Sequence, residues 1–182
     1  MKLYILRHQI RGNDPTFYSS LLPEGMGNSE HLKYTLENLN INLIFSSPFI
    51  RCLQTILPYY FYSGIKINRE FGLYEEISFP LFDKYNYKKD IQSFDYEYYI
   101  LNHNYKSFIN IDDVYPENTI NRILQFKKYL IDTYKNTNYN ILLVSHQTPI
   151  NYFLERPDIR FPMGTLFEVV DLNNNVVINI PY

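Results

Sequence analysis

The 182-residue sequence has no alanine, no tryptophan and one cysteine, and it has no long hydrophobic run. A single cysteine excludes an internal disulfide and a cysteine-based zinc site. The formal net charge of −2 argues against a protein that coats nucleic acid, although it leaves room for a local basic pocket. The apolar run that ends at Leu6 is too short for a signal peptide or a membrane span. We therefore predict a cytoplasmic protein, of a cell or of a host.

The residues that are present indicate an ordered protein. The chain is 46% hydrophobic and 20% charged, which excludes wholesale disorder. It contains 19 tyrosines and 20 asparagines, and we interpret this bias as AT-rich coding, as in a parasite or a large virus. No repeat or low-complexity linker divides the chain, so we predict one domain over residues 1–182.

Apolar runs and helical stripes alternate along the chain. Strands are predicted at 2–6, 43–45, 65–67 and 140–145, and a hairpin at 166–172 and 176–180. Helices are predicted from Asn28 or Ser29 to about Leu39, from Ser47-Pro48 onward, and over 117–134. This alternation predicts an α/β fold with a mostly parallel sheet. The Tyr- and Lys-rich stretch at about 79–113 has poor periodicity, and we predict a lid or insertion there.

Two predicted strands each run directly into a histidine. Arg7 and His8 follow the first strand, with Arg11 close behind, and His146 follows the strand at 140–145. Parallel strands end at the same edge of a sheet, where α/β proteins bind ligands. One histidine at such an edge is usually a hydrogen-bonded surface residue, whereas two histidines beside arginines favour a site.

Arg51 adds a third arginine to this edge. It falls in the first turn of the helix predicted after Ser47-Pro48, where a guanidinium and a helix N-terminus both attract anions. Phosphoryl transfer also needs a proton donor for the departing oxygen. Glu70, Glu75 and Glu76 are the candidates, and at least two of the three are expected to be solvated loop charges.

The ordered motifs resemble the histidine phosphatase superfamily, which has the phosphoglycerate mutase-like fold. They are Arg7-His8, then Ser46-Ser47-Pro48 with Arg51, Gln54 and Thr55, then Ser145-His146. The resemblance is greatest to the branch of the suppressor-of-T-cell-receptor-signalling and ecdysteroid-phosphate phosphatases. That branch has an arginine at the position of Arg11, and its second motif matches Ser47-Pro48-Phe49-Ile50-Arg51-Cys52-Leu53-Gln54-Thr55. Its acid motif is similar to Glu70-Phe71-Gly72-Leu73-Tyr74-Glu75.

The resemblance implies a three-layer α/β/α fold and a metal-independent phosphomonoesterase of the histidine acid phosphatase type. It makes His8 the nucleophile that carries a phosphohistidine, and Glu70 the acid. Arg7, Arg11, Arg51 and His146 would bind the phosphate oxygens, and no cofactor or metal is expected. The alternatives are phosphoglycerate mutase-type transfer and a decayed protein that only binds phosphorylated ligands.

Two departures from the family pattern lie in this predicted pocket. Gln9 and Gln147 stand where a glycine usually follows each histidine, and each is predicted to crowd the phosphate or to offer it an amide. The expected substrate is a phosphorylated small molecule or a phosphoprotein. No nucleic-acid or membrane partner is expected, and a homodimer is a candidate assembly.

Overall fold

Strands and helices alternate along the chain in the computed structural model, which describes residues 1–14, 16–76, 100–171 and 175–182. The strands in these ranges are β1 (Lys2–Arg7), β2 (Leu43–Ser46), β3 (Ile67–Arg69), β4 (Asn140–Ser145), β5 (Leu166–Asp171) and β6 (Val176–Ile180). The α-helices are α1 (Pro23–Asn38), α2 (Ile50–Ser63), α3 (Thr119–Tyr134) and α4 (Gln147–Phe153). A 3₁₀ turn, Phe71–Leu73, follows β3.

The strands form one mixed sheet in the order β3-β2-β4-β1-β5-β6. The pairs β3–β2, β2–β4 and β4–β1 are parallel, whereas β5 and β6 run antiparallel to their neighbours. The predicted α/β fold with a mostly parallel sheet is thereby confirmed. The register pairs Arg7 with Ser145, and Ser46 with Val144, so the carboxyl ends of these strands meet at one edge.

Helices cover both faces of the sheet, and the alternation along β1 shows how. Tyr4 and Leu6 pack with residues of α1 and α2 in one apolar cluster. Leu3 and Ile5 pack with residues of α3 and α4 in the other. Successive side chains of a strand point to opposite faces, so these two clusters are the two interfaces of a three-layer α/β/α fold.

Helix α3 begins two residues after its predicted start, and the starts of α1 and α2 also differ from the prediction. Helix α1 begins at Pro23, earlier than predicted, because its start packs against the loop after β1, where Leu22 N–H donates to the Ile10 carbonyl. Helix α2 begins at Ile50 with Phe49 as its N-cap. Ser47 does not cap it, because its hydroxyl bonds to His146 instead.

The predicted lid lies largely outside the described residues, which resume at Ile100. Ile100 and Ile109 are buried, and Leu101 forms a bridge with Ile67 of β3. This described part of the segment therefore packs on the body of the protein. The prediction of a single domain with a lid stays a prediction.

Candidate active site

The predicted site residues come from the ends of four strands at one sheet edge. His8 follows β1, and its N–H donates to the Ser145 carbonyl at 3.0 Å. Ser47 follows β2, and its backbone N–H donates to the Val144 carbonyl at 2.9 Å. Glu70 follows β3, and its backbone N–H donates to the Ser46 carbonyl at 2.9 Å. The ladder therefore continues one residue beyond each strand, which fixes the backbone beneath these side chains.

The His8 imidazole is buried and neutral. Its Nδ1 lies 2.8 Å from the Gln9 carbonyl oxygen. A carbonyl only accepts hydrogen bonds, so Nδ1 carries the proton and Nε2 keeps a free lone pair. Burial, and then the nearby Arg51 guanidinium, lower the pKa of His8 to about 3. A neutral imidazole with a free lone pair is able to act as a nucleophile at neutral pH without an activating base.

His146 lies beside His8, with the ring centroids 5.2 Å apart. Its Nε2 is 2.8 Å from the Ser47 hydroxyl oxygen and 3.5 Å from the Cys52 sulfur. Burial, with Arg51 and His8 adding to it, lowers the pKa of His146 well below its usual value. Burial also raises the pKa of the Cys52 thiol to about 12, so Cys52 packs here as a thiol and not as a reactive thiolate.

Three arginines converge on this pair. Arg51 is buried, donates to the Thr16 carbonyl at 3.0 Å, and lies over the Phe49 ring. Arg7 donates to Gln147 and to the Phe161 carbonyl, and Arg11 donates to carbonyls of its own loop. Within the described ranges, Nε of each of the three has no hydrogen-bond partner. Burial lowers the pKa of Arg7 and Arg51, which is the cost of keeping positive charge away from water. A bound anion would offset that cost.

Glu70, the acid that the resemblance implies, is bound by the loops around it. Its buried carboxylate accepts hydrogen bonds of 2.5–3.2 Å from five donors of the described chain: Gly72 N, Tyr105 OH, Ser107 Oγ, Phe108 N and Ile109 N. Burial and Glu70 raise the pKa of Tyr105, so the phenol stays protonated as a donor. Glu70 thus ties the turn after β3 to residues 105–109.

Glu75 is the carboxylate that reaches the histidine and arginine cluster. Its Oε2 lies 3.4 Å from His146 Nδ1 and 3.8 Å from Arg51 Nη2. The side chain is 22% exposed, which leaves it open to a ligand and to water. Burial raises the pKa of Glu75, although Arg51 acts in the opposite direction. A carboxyl group with a raised pKa beside a phosphate site suits a proton donor.

Arg122 of α3 supports this loop and was not anticipated from the sequence. Its buried guanidinium donates to the carbonyls of Phe71, Gly72, Tyr74 and Glu75 at 2.7–3.3 Å. Burial lowers the pKa of Arg122 to about 10, so it keeps its charge at neutral pH. The sequence feature that could have indicated its buried position is an arginine next to Ile123, on the apolar stripe of a predicted amphipathic helix.

The side chains of both glutamines are held by protein partners. Gln9 donates to the Tyr182 hydroxyl. Gln147 accepts from Arg7 Nη1 at 3.0 Å and from Phe161 N–H at 3.0 Å, and it donates to the Ile159 carbonyl. Gln147 therefore orients a site arginine.

Across the described ranges, no three His, Cys, Asp or Glu side chains are grouped as a metal site would require. In the same ranges, no helix is both long enough and apolar enough to cross a membrane.

Two neutral histidines, three converging arginines and a partly exposed carboxyl group lie together at one edge of the sheet. Their charge and their hydrogen-bonding groups suit a bound phosphoryl group. The chain belongs to branch 1 of the histidine phosphatase superfamily, whose profile matches residues 6–169. This membership supports a phosphatase or phosphoryl-transfer activity.

Solved structures from several organisms share the fold. They include the ecdysone phosphate phosphatase of Bombix mori in complex with tungstate (TM-score 0.64, 12% identity, covering 100% of this chain and 92% of that one). The α-ribazole phosphatase of Shigella flexneri has a TM-score of 0.63 at 18% identity, covering 99% and 95%. A phosphoglycerate mutase of Bacillus anthracis has a TM-score of 0.61 at 16% identity, covering 100% and 92%. No curated protein sequence matches the chain.

Proposed function

We propose that this protein hydrolyses phosphate monoesters without a metal, through a phosphohistidine intermediate on His8. The observation that carries the proposal is the hydrogen bond from His8 Nδ1 to the Gln9 carbonyl. This hydrogen bond leaves a free lone pair on His8 Nε2, beside His146 and the arginine cluster, where a phosphoryl group would be bound. The proposed substrate is a phosphorylated small molecule or a phosphoprotein of the cytoplasm.

The first step transfers the phosphoryl group to the enzyme. His8 Nε2 attacks phosphorus, the bond from phosphorus to the ester oxygen breaks, and the electron pair leaves with that oxygen. Arg7, Arg11, Arg51 and His146 bind the other phosphate oxygens and offset their charge in the transition state. The alcohol leaves once its oxygen has been protonated.

We propose Glu75, in place of Glu70, as the donor of that proton. Glu75 is within 3.4 Å of His146 and is partly exposed, whereas the oxygens of Glu70 are occupied by donors of the loops that it joins. In the second step the Glu75 carboxylate takes a proton from water, and the water oxygen attacks the phosphohistidine. This releases phosphate and restores both His8 and protonated Glu75.

The test is hydrolysis of p-nitrophenyl phosphate in excess chelator, from mildly acidic to mildly alkaline pH. Wild type is compared with His8→Ala and with His31→Ala, an exposed histidine of α1. We expect turnover by wild type and by His31→Ala, and none by His8→Ala.

Three results would contradict the proposal. Activity that is lost in chelator and returns with magnesium or zinc would replace it by a metal-dependent mechanism. Conversion of 3-phosphoglycerate to 2-phosphoglycerate with a bisphosphoglycerate primer, without hydrolysis, would establish the mutase alternative. Phosphate binding without either reaction would establish a protein that only binds phosphorylated ligands.

A further inference from the structure

The residue that follows the nucleophile is tied to the C-terminal segment of the chain. Gln9 is 1% exposed, and its side-chain amide donates to the phenolic oxygen of Tyr182. The Tyr182 hydroxyl in turn donates to the Gly164 carbonyl. One phenol therefore joins Gln9 to the segment that precedes β5.

Gly164 makes this arrangement sterically feasible. Its φ of +82° lies in the left-handed region that favours glycine. A Cβ at this position would lie 2.7 Å from Gln9 Oε1 and 3.0 Å from the Tyr182 hydroxyl oxygen. The Gly164 N–H also donates to the His8 carbonyl at 2.9 Å, so the same residue contacts the nucleophile's backbone and makes room for the Gln9–Tyr182 pair.

Gln9 is held through its backbone N–H, its side-chain NH₂ group and its backbone carbonyl. Its N–H donates to Thr55 Oγ1 at 2.9 Å, its side chain bonds to Tyr182, and its carbonyl accepts from His8 Nδ1 at 2.8 Å. The direction of that carbonyl decides which imidazole nitrogen carries the proton. A Gln9 that could turn would release Nδ1 and allow the tautomer in which Nε2 is protonated and cannot attack.

We propose that Tyr182 is a positioning residue for the His8 nucleophile, which it controls by holding Gln9 in place. This inference rests on the proposed function, since it assigns Nε2 of His8 as the attacking atom. It also gives Gln9 a role at a position where a glutamine was expected to crowd or contact the phosphate. The structure directs the Gln9 side chain to Tyr182 and Gly164.

The first test is Tyr182→Phe, which removes only the hydroxyl group. We expect kcat for p-nitrophenyl phosphate to fall about tenfold with KM within about twofold of wild type, because a small displacement of a nucleophile slows attack more than binding. Tyr139→Phe, at a tyrosine of similar exposure, is the matched control and should leave kcat unchanged.

A double-mutant cycle tests whether Tyr182 acts through Gln9. Gln9→Met keeps the side-chain length and removes the amide. If the two residues act together, Tyr182→Phe should cost little further activity in the Gln9→Met background. An equal loss of kcat in both backgrounds, or no loss in either, would overturn the inference.

A readout that does not need turnover separates this inference from the proposed function. The chain has four histidines, so ¹⁵N-histidine labelling yields an assignable set of imidazole signals. Wild-type His8 should show the pattern of a protonated Nδ1 and a free Nε2, and Tyr182→Phe should show a mixture of tautomers. An unchanged His8 pattern in Tyr182→Phe would contradict the positioning role. An inactive wild type with the expected patterns would contradict only the proposed hydrolysis.

Discussion

Glu70 and Glu75 belong to one loop, yet their surroundings give them different chemistry. The carboxylate of Glu70 is fully enclosed by donors that fix the loop, including Gly72 N and Tyr105 OH. Glu75 meets His146 and Arg51 and keeps contact with solvent. The first arrangement stabilises the loop, and the second leaves a carboxyl group in contact with both the histidine and arginine cluster and water.

Glu75→Gln should lower kcat for an alkyl phosphate by about 10²–10³-fold, the usual contribution of a general acid. The loss for p-nitrophenyl phosphate should be smaller, because its leaving group needs less help from a proton. Glu70→Gln should instead lower the free energy of unfolding by about 1–3 kcal/mol, since it weakens several buried hydrogen bonds. Steady-state kinetics on both substrates and urea unfolding distinguish these effects.

The matched control for Glu75→Gln is Glu76→Gln, an exposed neighbour that should behave as wild type.

The pH profile gives a second check of the role of Glu75. A general acid must be protonated, so kcat/KM should fall as pH rises through the raised pKa of Glu75, and Glu75→Gln should lose this alkaline limb. Because the pKa of His8 is about 3, its protonation should not limit the rate above about pH 4. An alkyl-phosphate rate that is sensitive to Glu70→Gln and insensitive to Glu75→Gln would reverse the assignment.

The sequence could place the histidines and arginines but could not separate the glutamates. His8 and His146 each follow an apolar strand, and the parallel pairing of those strands brings them together. The distinction between Glu70 and Glu75 depends on residues 105–109, which are distant in sequence. The role of Arg122 could not be predicted for the same reason, since its carbonyl partners lie on the loop after β3, which is distant in sequence.

Helix α1 contains two glycines that differ in the space around them. A Cβ on Gly25 would lie 2.2 Å from the Ile10 carbonyl oxygen, whereas a Cβ on Gly27 would have nothing within 4 Å. Gly25→Ala should therefore cost about 1–3 kcal/mol of stability through overpacking. Gly27→Ala should raise the free energy of unfolding by about 0.5–1 kcal/mol, because alanine stabilises the exposed interior of a helix more than glycine does.

Urea unfolding of the two variants beside wild type measures this contrast. Equal effects of the two substitutions would show that α1 does not pack on Ile10 as described.

The same pair of glycines explains why the sequence predicts the start of α1 too late. Glycine is more common in loops than in helices, and Gly25 is required by a tertiary contact with Ile10 that the local sequence does not show. Strand β4, by contrast, has the predicted bounds because its apolar run is continuous.

For the whole molecule, the buried histidines predict a loss of stability in acid. The pKa of His8 falls from 6.5 in the unfolded chain to about 3 in the folded protein. Below pH 6.5 the unfolded chain therefore binds a proton that the folded protein does not, and the free energy of unfolding decreases until the pH approaches 3. The slope is about 1.4 kcal/mol per pH unit for each such histidine, and His146 acts in the same direction. Glu75 opposes this trend, because its raised pKa favours protonation of the folded state.

Chemical denaturation at pH 7 and pH 5 measures the effect. The loss of stability between these values should be about 2 kcal/mol smaller in His8→Asn than in wild type, whereas His31→Asn should match wild type. Comparing each variant with itself at two pH values removes the direct cost of the substitution. A His8→Asn variant as acid-sensitive as wild type would show that His8 is not buried and neutral.

The sheet order has a consequence for synthesis of the protein. Strand β1 precedes the other described strands in the sequence, yet it lies between β4 and β5, which follow it only after residue 139. While the ribosome is still translating the middle of the chain, β1 has neither of its neighbours in the sheet, and Leu3 and Ile5 lack the helices α3 and α4 that cover them. Stalled chains that lack the segment from Asn140 onward should carry His8 and yet be inactive. Activity should appear abruptly, once the segment from Asn140 onward has left the ribosome and joined β1.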